Sequence, residues 1–148
     1  MLTSKGKYGL KAMIHLAGQE LGQPALASEI ASQNNIPKKF LDAILGELRN
    51  AGLVESKKGK GGGYMLAKPA HQIMVGQIVR TLDGPLAPIR CASQKYYRQC
   101  DDCDGQRCVV RLMMWEVRNA IAHILDNRTL AEMRALVEHD QDELMYHI

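Results

Sequence analysis

The chain has 148 residues, 46% hydrophobic and 24% charged, enough apolar material for a core and too much for wholesale disorder. No run approaches the ~20 consecutive apolar residues that cross a bilayer, and the start, Met1 to Lys7, lacks the apolar segment of a secretion signal, so a cytoplasmic protein without a membrane partner is expected. The net charge of +3 is unevenly spread: residues 1–69 hold ten Lys and Arg against five Asp and Glu, and the remainder is acidic by two, so the N-terminal half suits a polyanion.

Leu10, Met13, Ile14 and Ala17 have helical spacing over residues 7–19, and Gly22-Gln23-Pro24 breaks that helix. Leu26, Ile30 and Ala31 mark a short second helix, closed by the turn Asn34-Asn35-Ile36-Pro37. The third helix is the clearest: Leu41, Ile44, Leu45 and Leu48 fall at i, i+3, i+4 and i+7, with Lys38, Lys39, Asp42 and Arg49 opposite and Gly52 placed for a left-handed cap. Leu53 to Ser56 and Tyr64 to Ala67 read as strands around a Lys- and Gly-rich tip, and Pro69 stops the second. Three helices followed by a hairpin is the order of a winged helix-turn-helix, a mainly α fold with a small β-hairpin wing.

Met74 to Leu82 suits a further helix, and Asp83-Gly84-Pro85 with Pro88 marks a boundary. A cysteine loop fills 91–108, and a long helix is expected over Val109 to Leu125. Thr129 with Glu132 resembles a capping box opening a last helix, and the polar tail from Glu138 is expected to fray. The organisation predicted is a DNA-binding head over 1–83, a cysteine loop over 84–108, and a long helix with a C-terminal helix over 109–148.

DNA reading needs a helix that enters the major groove and cations that meet phosphates. Lys38, Lys39, Phe40 and Asp42 occupy the start of the third helix, where lysine donates to guanine acceptors and aspartate accepts from cytosine N4. Lys57, Lys58 and Lys60 crowd one hairpin tip. Gly59, Gly61, Gly62 and Gly63 leave its backbone free to approach the phosphate ridge, and Tyr64 lies along a sugar edge or fills the hairpin base. Thr3, Ser4, Lys5 and Arg49 complete the candidate DNA set. A merely solvated basic hairpin is the plain alternative, and the Walker phosphate pattern is absent.

The cysteines run Cys91-x(8)-Cys100-x(2)-Cys103-x(4)-Cys108. Thiolates are the preferred ligands of iron–sulfur clusters and of structural zinc, and such clustering differs from a secreted disulfide scaffold. The spacing lacks the two C-x-x-C pairs of a zinc ribbon. A dithiol oxidoreductase would place C-x-x-C at a helix start beside a βαβ unit, and no such alternation is present. His15, His71, His123, His139 and His147 are scattered and suggest no nucleophile–base pair, so an enzyme is not expected.

Leu2 to Gly9, the helix ending in Gly52-Leu53-Val54, the wing Gly59-Lys60-Gly61-Gly62-Gly63-Tyr64-Met65-Leu66 and the stretch Trp115 to Leu130 resemble the Rrf-two (Rrf2) family of winged-helix transcription regulators, of the IscR and NsrR kind, over nearly the whole chain. The resemblance implies a bacterial homodimer on a double-stranded DNA operator, with the long helix forming the dimer. It also implies an iron–sulfur cluster, [2Fe–2S] or [4Fe–4S], in the preceding loop that sets DNA affinity. Cys91 and Cys108 match the outer ligands and either Cys100 or Cys103 the middle one. The loop departs from the family: it has four cysteines, and Val109, Val110 and Arg111 stand where IscR-like members place a histidine ligand. Zinc, or a thiol–disulfide switch, stays open at that loop.

Overall fold

The computed structural model describes residues 2–101 and 108–146, with side chains described to residue 140. In chain order the elements are α1 (Ser4–Ala17), α2 (Ala27–Asn34), α3 (Lys38–Asn50), β1 (Val54–Lys57), β2 (Gly63–Leu66), α4 (Val75–Asp83), α5 (Val109–Asp126) and α6 (Leu130–Tyr146). The strands pair antiparallel, with Val54 opposite Leu66 and Lys57 opposite Gly63.

The core forms where the apolar stripes of α1, α3 and α4 meet. From α3 come Leu41, Ile44, Leu45 and Leu48, all at most 1% exposed. Met13 and Leu16 of α1 and Ile78 and Leu82 of α4 pack in the same cluster. Burying each such side chain stabilises the fold by about 1.5–3 kcal/mol. At the end of α3, Gly52 has φ +76°, and the amides of Gly52 and Leu53 donate to the carbonyls of Arg49 and Leu48 at 3.0 Å. This is the paired closure that a left-handed glycine allows, and it turns the chain directly into β1.

Three elements differ from the sequence reading. The first helix runs over Ser4–Ala17 rather than 7–19, because Thr3 caps it: its hydroxyl accepts from the Gly6 amide at 3.2 Å. The hairpin has a third partner, since Ala25 and Tyr64 exchange two backbone bonds of 2.8 Å. Helical backbone continues past Glu138 to Tyr146, a stretch with no Gly or Pro to break it and with an Arg134–Glu138 pair at 3.0 Å.

The last helix begins inside the head. Leu130 is fully buried, its amide donates to the Ile73 carbonyl at 2.8 Å, and the Val75 amide donates to the Arg128 carbonyl at 2.9 Å. Thr129 caps α6 through the Glu132 amide at 3.1 Å, while the Glu132 side chain turns to Arg128 at 3.6 Å instead of closing the box. Thus α5 leaves the head at the cysteine loop, and its far end returns to it.

Candidate DNA-binding surface and cysteine loop

The amphipathic pattern of α3 buries its leucine stripe and leaves Lys38, Lys39, Phe40, Asp42 and Arg49 in solvent. Lys38 Nζ reaches Asp42 Oδ2 at 3.2 Å, so each partly neutralises the other. Phe40 is 59% exposed, its only described ring partner being Tyr8 at 6.5 Å between centroids. An apolar ring left in water at a helix start offers a surface for a thymine methyl or a sugar edge.

The N-terminal residues are more committed to the fold than their sequence suggests. The Thr3 amide donates to Asp83 Oδ2 at 2.9 Å and its hydroxyl also bonds the Asp83 carboxylate, so Thr3 joins α1 to the end of α4. Ser4 is exposed on the first turn of α1. Lys5 Nζ lies 2.6 Å from Glu47, which ties α1 to α3 and leaves little free charge at that position.

The wing presents Lys57, Lys58 and Lys60 fully to solvent, with no ion pair among the described residues. Its glycines divide into two groups. Gly59 and Gly61 have φ +92° and +78° with open space around them. Gly62 is buried, and a Cβ there would lie 2.2 Å from the Lys57 carbonyl oxygen. The wing's own backbone is therefore sufficient reason for glycine at 62. Tyr64 is half-buried and anchors the hairpin to Ala25.

Cys91 is buried on a short turn, Arg90–Ala92, that packs against α5. Arg111 Nε donates to the Cys91 carbonyl at 2.8 Å, and its guanidinium sits 5.2 Å over the Tyr97 ring. Cys108 is the N-cap residue immediately before α5, and both Cys100 and Cys108 are half-buried. Cys103 lies outside the described residues. Thiols are the right donors for an iron–sulfur cluster, and two of them are fixed at the junction of turn and helix. Among the described residues, no three His, Cys, Asp or Glu side chains gather closely enough to hold an ion.

Alone, α5 has too little to pack against. Only Ala122 is buried, while Val109, Val110, Leu112, Met113 and Ile124 are 53–76% exposed. On the side facing α4, Arg80 and Asp126 form a two-bond ion pair, Nη2 to Oδ2 at 2.8 Å. The hydrogen bond from Arg80 holds the Asp126 carboxyl below the usual carboxylate range. Sequence patterning missed this pair, Ala25 and Asp83, because they lie far along the chain from their partners.

Residues 2–135 match the family model described as Rrf2, iron-dependent transcriptional regulator. The chain is similar to an Rrf2-like helix-turn-helix regulator of Rhodobacter capsulatus, 40% identical over 139 residues, 91% of this chain and 93% of that one. Among solved structures it resembles CymR, the global cysteine regulator of Bacillus subtilis, with a TM-score of 0.76 and 32% identity over 92% of this chain and 97% of that one. It also resembles IscR of T. potens, with a TM-score of 0.75 and 30% identity over 95% and 90%.

Proposed function

Because the chain belongs to the Rrf2 family, and is a DNA-binding transcription regulator rather than an enzyme, we propose that it acts as a cytoplasmic homodimer whose operator affinity is set at its cysteine loop. Lys38, Lys39, Phe40 and Asp42 lead α3 into the major groove, with Arg49 toward the flanking backbone. Lys57, Lys58 and Lys60 meet phosphates, brought close by Gly61 and Gly62, and Tyr64 stands behind them. Ser4 and Lys5 approach the backbone beside α3, with Thr3 holding that edge. The exposed apolar face of α5 packs on its copy in a second chain and sets the two α3 helices about one DNA turn, ~34 Å, apart.

The observation that carries the regulatory half is the anchoring of the loop: the Cys91 carbonyl is bonded to Arg111 of α5, and Cys108 is the cap residue of α5. An iron–sulfur cluster held by Cys91, Cys108 and one or both of Cys100 and Cys103 would supply an iron centre responsive to redox state, iron or nitric oxide. The chain's part is to fix both ends of the loop to the dimer helix, so that the state of the loop bears on the spacing of the two heads. A coupling of about 1–3 kcal/mol would give a 5- to 150-fold switch in affinity. Anaerobic purification should yield a coloured protein containing iron and acid-labile sulfide, bleached by Cys91→Ala. A protein that stays colourless after reconstitution refutes the cluster.

One observation favours a second reading, zinc or a thiol–disulfide switch in the same loop: the likeness to a cysteine regulator. Stoichiometric zinc, or an intramolecular disulfide reversed by reductant, distinguishes it from the first.

A further inference from the structure

A second site lies away from the cysteines. Between α4, α5 and the segment after Gly84 is an open cleft of about 720 Å3. Arg80, Lys95 and Arg118 line it, and Asp126 is the only carboxylate that does. Asp126 is already engaged by Arg80. Arg118 makes no ion pair among the described residues: it donates to Asn119 Oδ1 at 2.9 Å and Gln94 Oε1 at 3.3 Å, with its guanidinium 5.7 Å over the Trp115 ring, and its charge acts on Asp126 without a direct bond. Lys95 is exposed and has no ion pair among the described residues. The cleft therefore sets three cations against the single carboxylate of Asp126, and Pro85 and Leu86 form an apolar wall beside them.

Cations lining a concave site focus the field and concentrate anions. The planar guanidinium matches a carboxylate through two parallel bonds. The volume falls in the range of small-molecule sites, roughly 300–1,000 Å3. We propose that this cleft is an effector site for a small organic dianion of the dicarboxylate class. One carboxylate binds Arg118 and Lys95, and the other competes with Asp126 for Arg80. The Arg80–Asp126 pair is the only described ion pair that joins α4 to α5. Its displacement would loosen one polar contact between the head and the dimer helix, while Leu130 and its backbone bonds keep the two joined, so occupancy would be read out as DNA affinity. That last step rests on the regulator reading; ligand binding does not.

Trp115 is the only tryptophan in the chain and lies beneath Arg118, so it reports on the cleft. At constant ionic strength, titration with succinate should give a saturable change in Trp115 fluorescence, and the neutral isostere succinamide should give none. Lys95→Gln, an exposed substitution expected to leave stability nearly unchanged, should weaken succinate at least tenfold. Arg118→Gln, read by calorimetry because it alters the reporter, should do the same. An unsaturable response, an equal response to succinamide, saturation by inorganic phosphate but not succinate, or unchanged affinity in both variants overturns the site. Saturating succinate should also change operator affinity at least fivefold, and an unchanged affinity while the cleft is full overturns its effector role. The fluorescence arm uses no DNA, so failure of the proposed DNA contacts would leave it standing.

Discussion

Replacing Lys57, Lys58 and Lys60 together by Ala tests the wing most directly. All three are exposed and unpaired among the described residues, so the fold should change by less than about 0.5 kcal/mol. Each lysine that neutralises a phosphate adds about 0.9 to the slope of log K against log salt, so the triple variant should lose up to about 2.7. Raising salt from about 50 to about 200 mM changes log salt by about 0.6, so the variant's defect should shrink roughly 40-fold over that range. Fluorescence anisotropy on a labelled operator at four salt concentrations gives the slope. Arg134→Gln on α6, whose partner is Glu138, is the control and should leave it unchanged. A triple-variant defect that stays constant with salt would mean that these lysines do not meet phosphates.

Three further outcomes follow from particular contacts. Gly62→Ala puts a methyl 2.2 Å from the Lys57 carbonyl and should cost more than about 1 kcal/mol, whereas Gly46→Ala, with open space inside α3, should gain about 0.5–1 kcal/mol; thermal melts of the two should shift in opposite directions. Asp126→Asn should cost about 0.2–1 kcal/mol near neutral pH for a pair this exposed. Because Arg80 lowers the folded-state pKa of Asp126, that stability is present above the unfolded carboxylate value of about 4 and is lost as pH falls through the folded value; wild type and variant should converge at acid pH in denaturant titrations, and a gap that widens there would refute the assignment. Leu112→Glu with Met113→Glu, on the exposed face of α5, should convert the proposed dimer to a species near 16.5 kDa by sedimentation, and a persistent dimer would place the interface elsewhere.

The parts of the fold legible in the sequence are those with local causes. The stripe from Leu41 to Leu48 has one buried side at any helical register, and Gly52 has the single conformation that closes α3 into β1. The order of elements follows from them and gives the winged head. The illegible parts depend on chain segments meeting at a distance. Nothing at Ala25 marks it as the third partner of the wing, because its two bonds to Tyr64 are purely backbone. Thr3 and Lys5 read as free polar groups until Asp83 and Glu47 are placed beside them. Gly62 read as an opening toward phosphate, and the Lys57 carbonyl gives it an additional, internal cause.

Those distant contacts form a series of polar links from the Cys91 turn to α3. Arg111 fixes the Cys91 turn to α5, and Asp126 at the other end of α5 holds Arg80 of α4. Asp83, which closes α4, binds both the amide and the hydroxyl of Thr3 at the start of α1. Two residues on, in the first turn of α1, Lys5 grips Glu47 of α3. Each link is a charged or charge-assisted bond at a partly exposed site, and each is individually worth little. That modest strength suits a switch better than a rigid strut would. A connection that a 1–3 kcal/mol signal must rearrange cannot be held by bonds much stronger than the signal. The apolar core of α1, α3 and α4 preserves the head as a unit, and the Arg80–Asp126 pair joins Leu125 in seating that unit against α5.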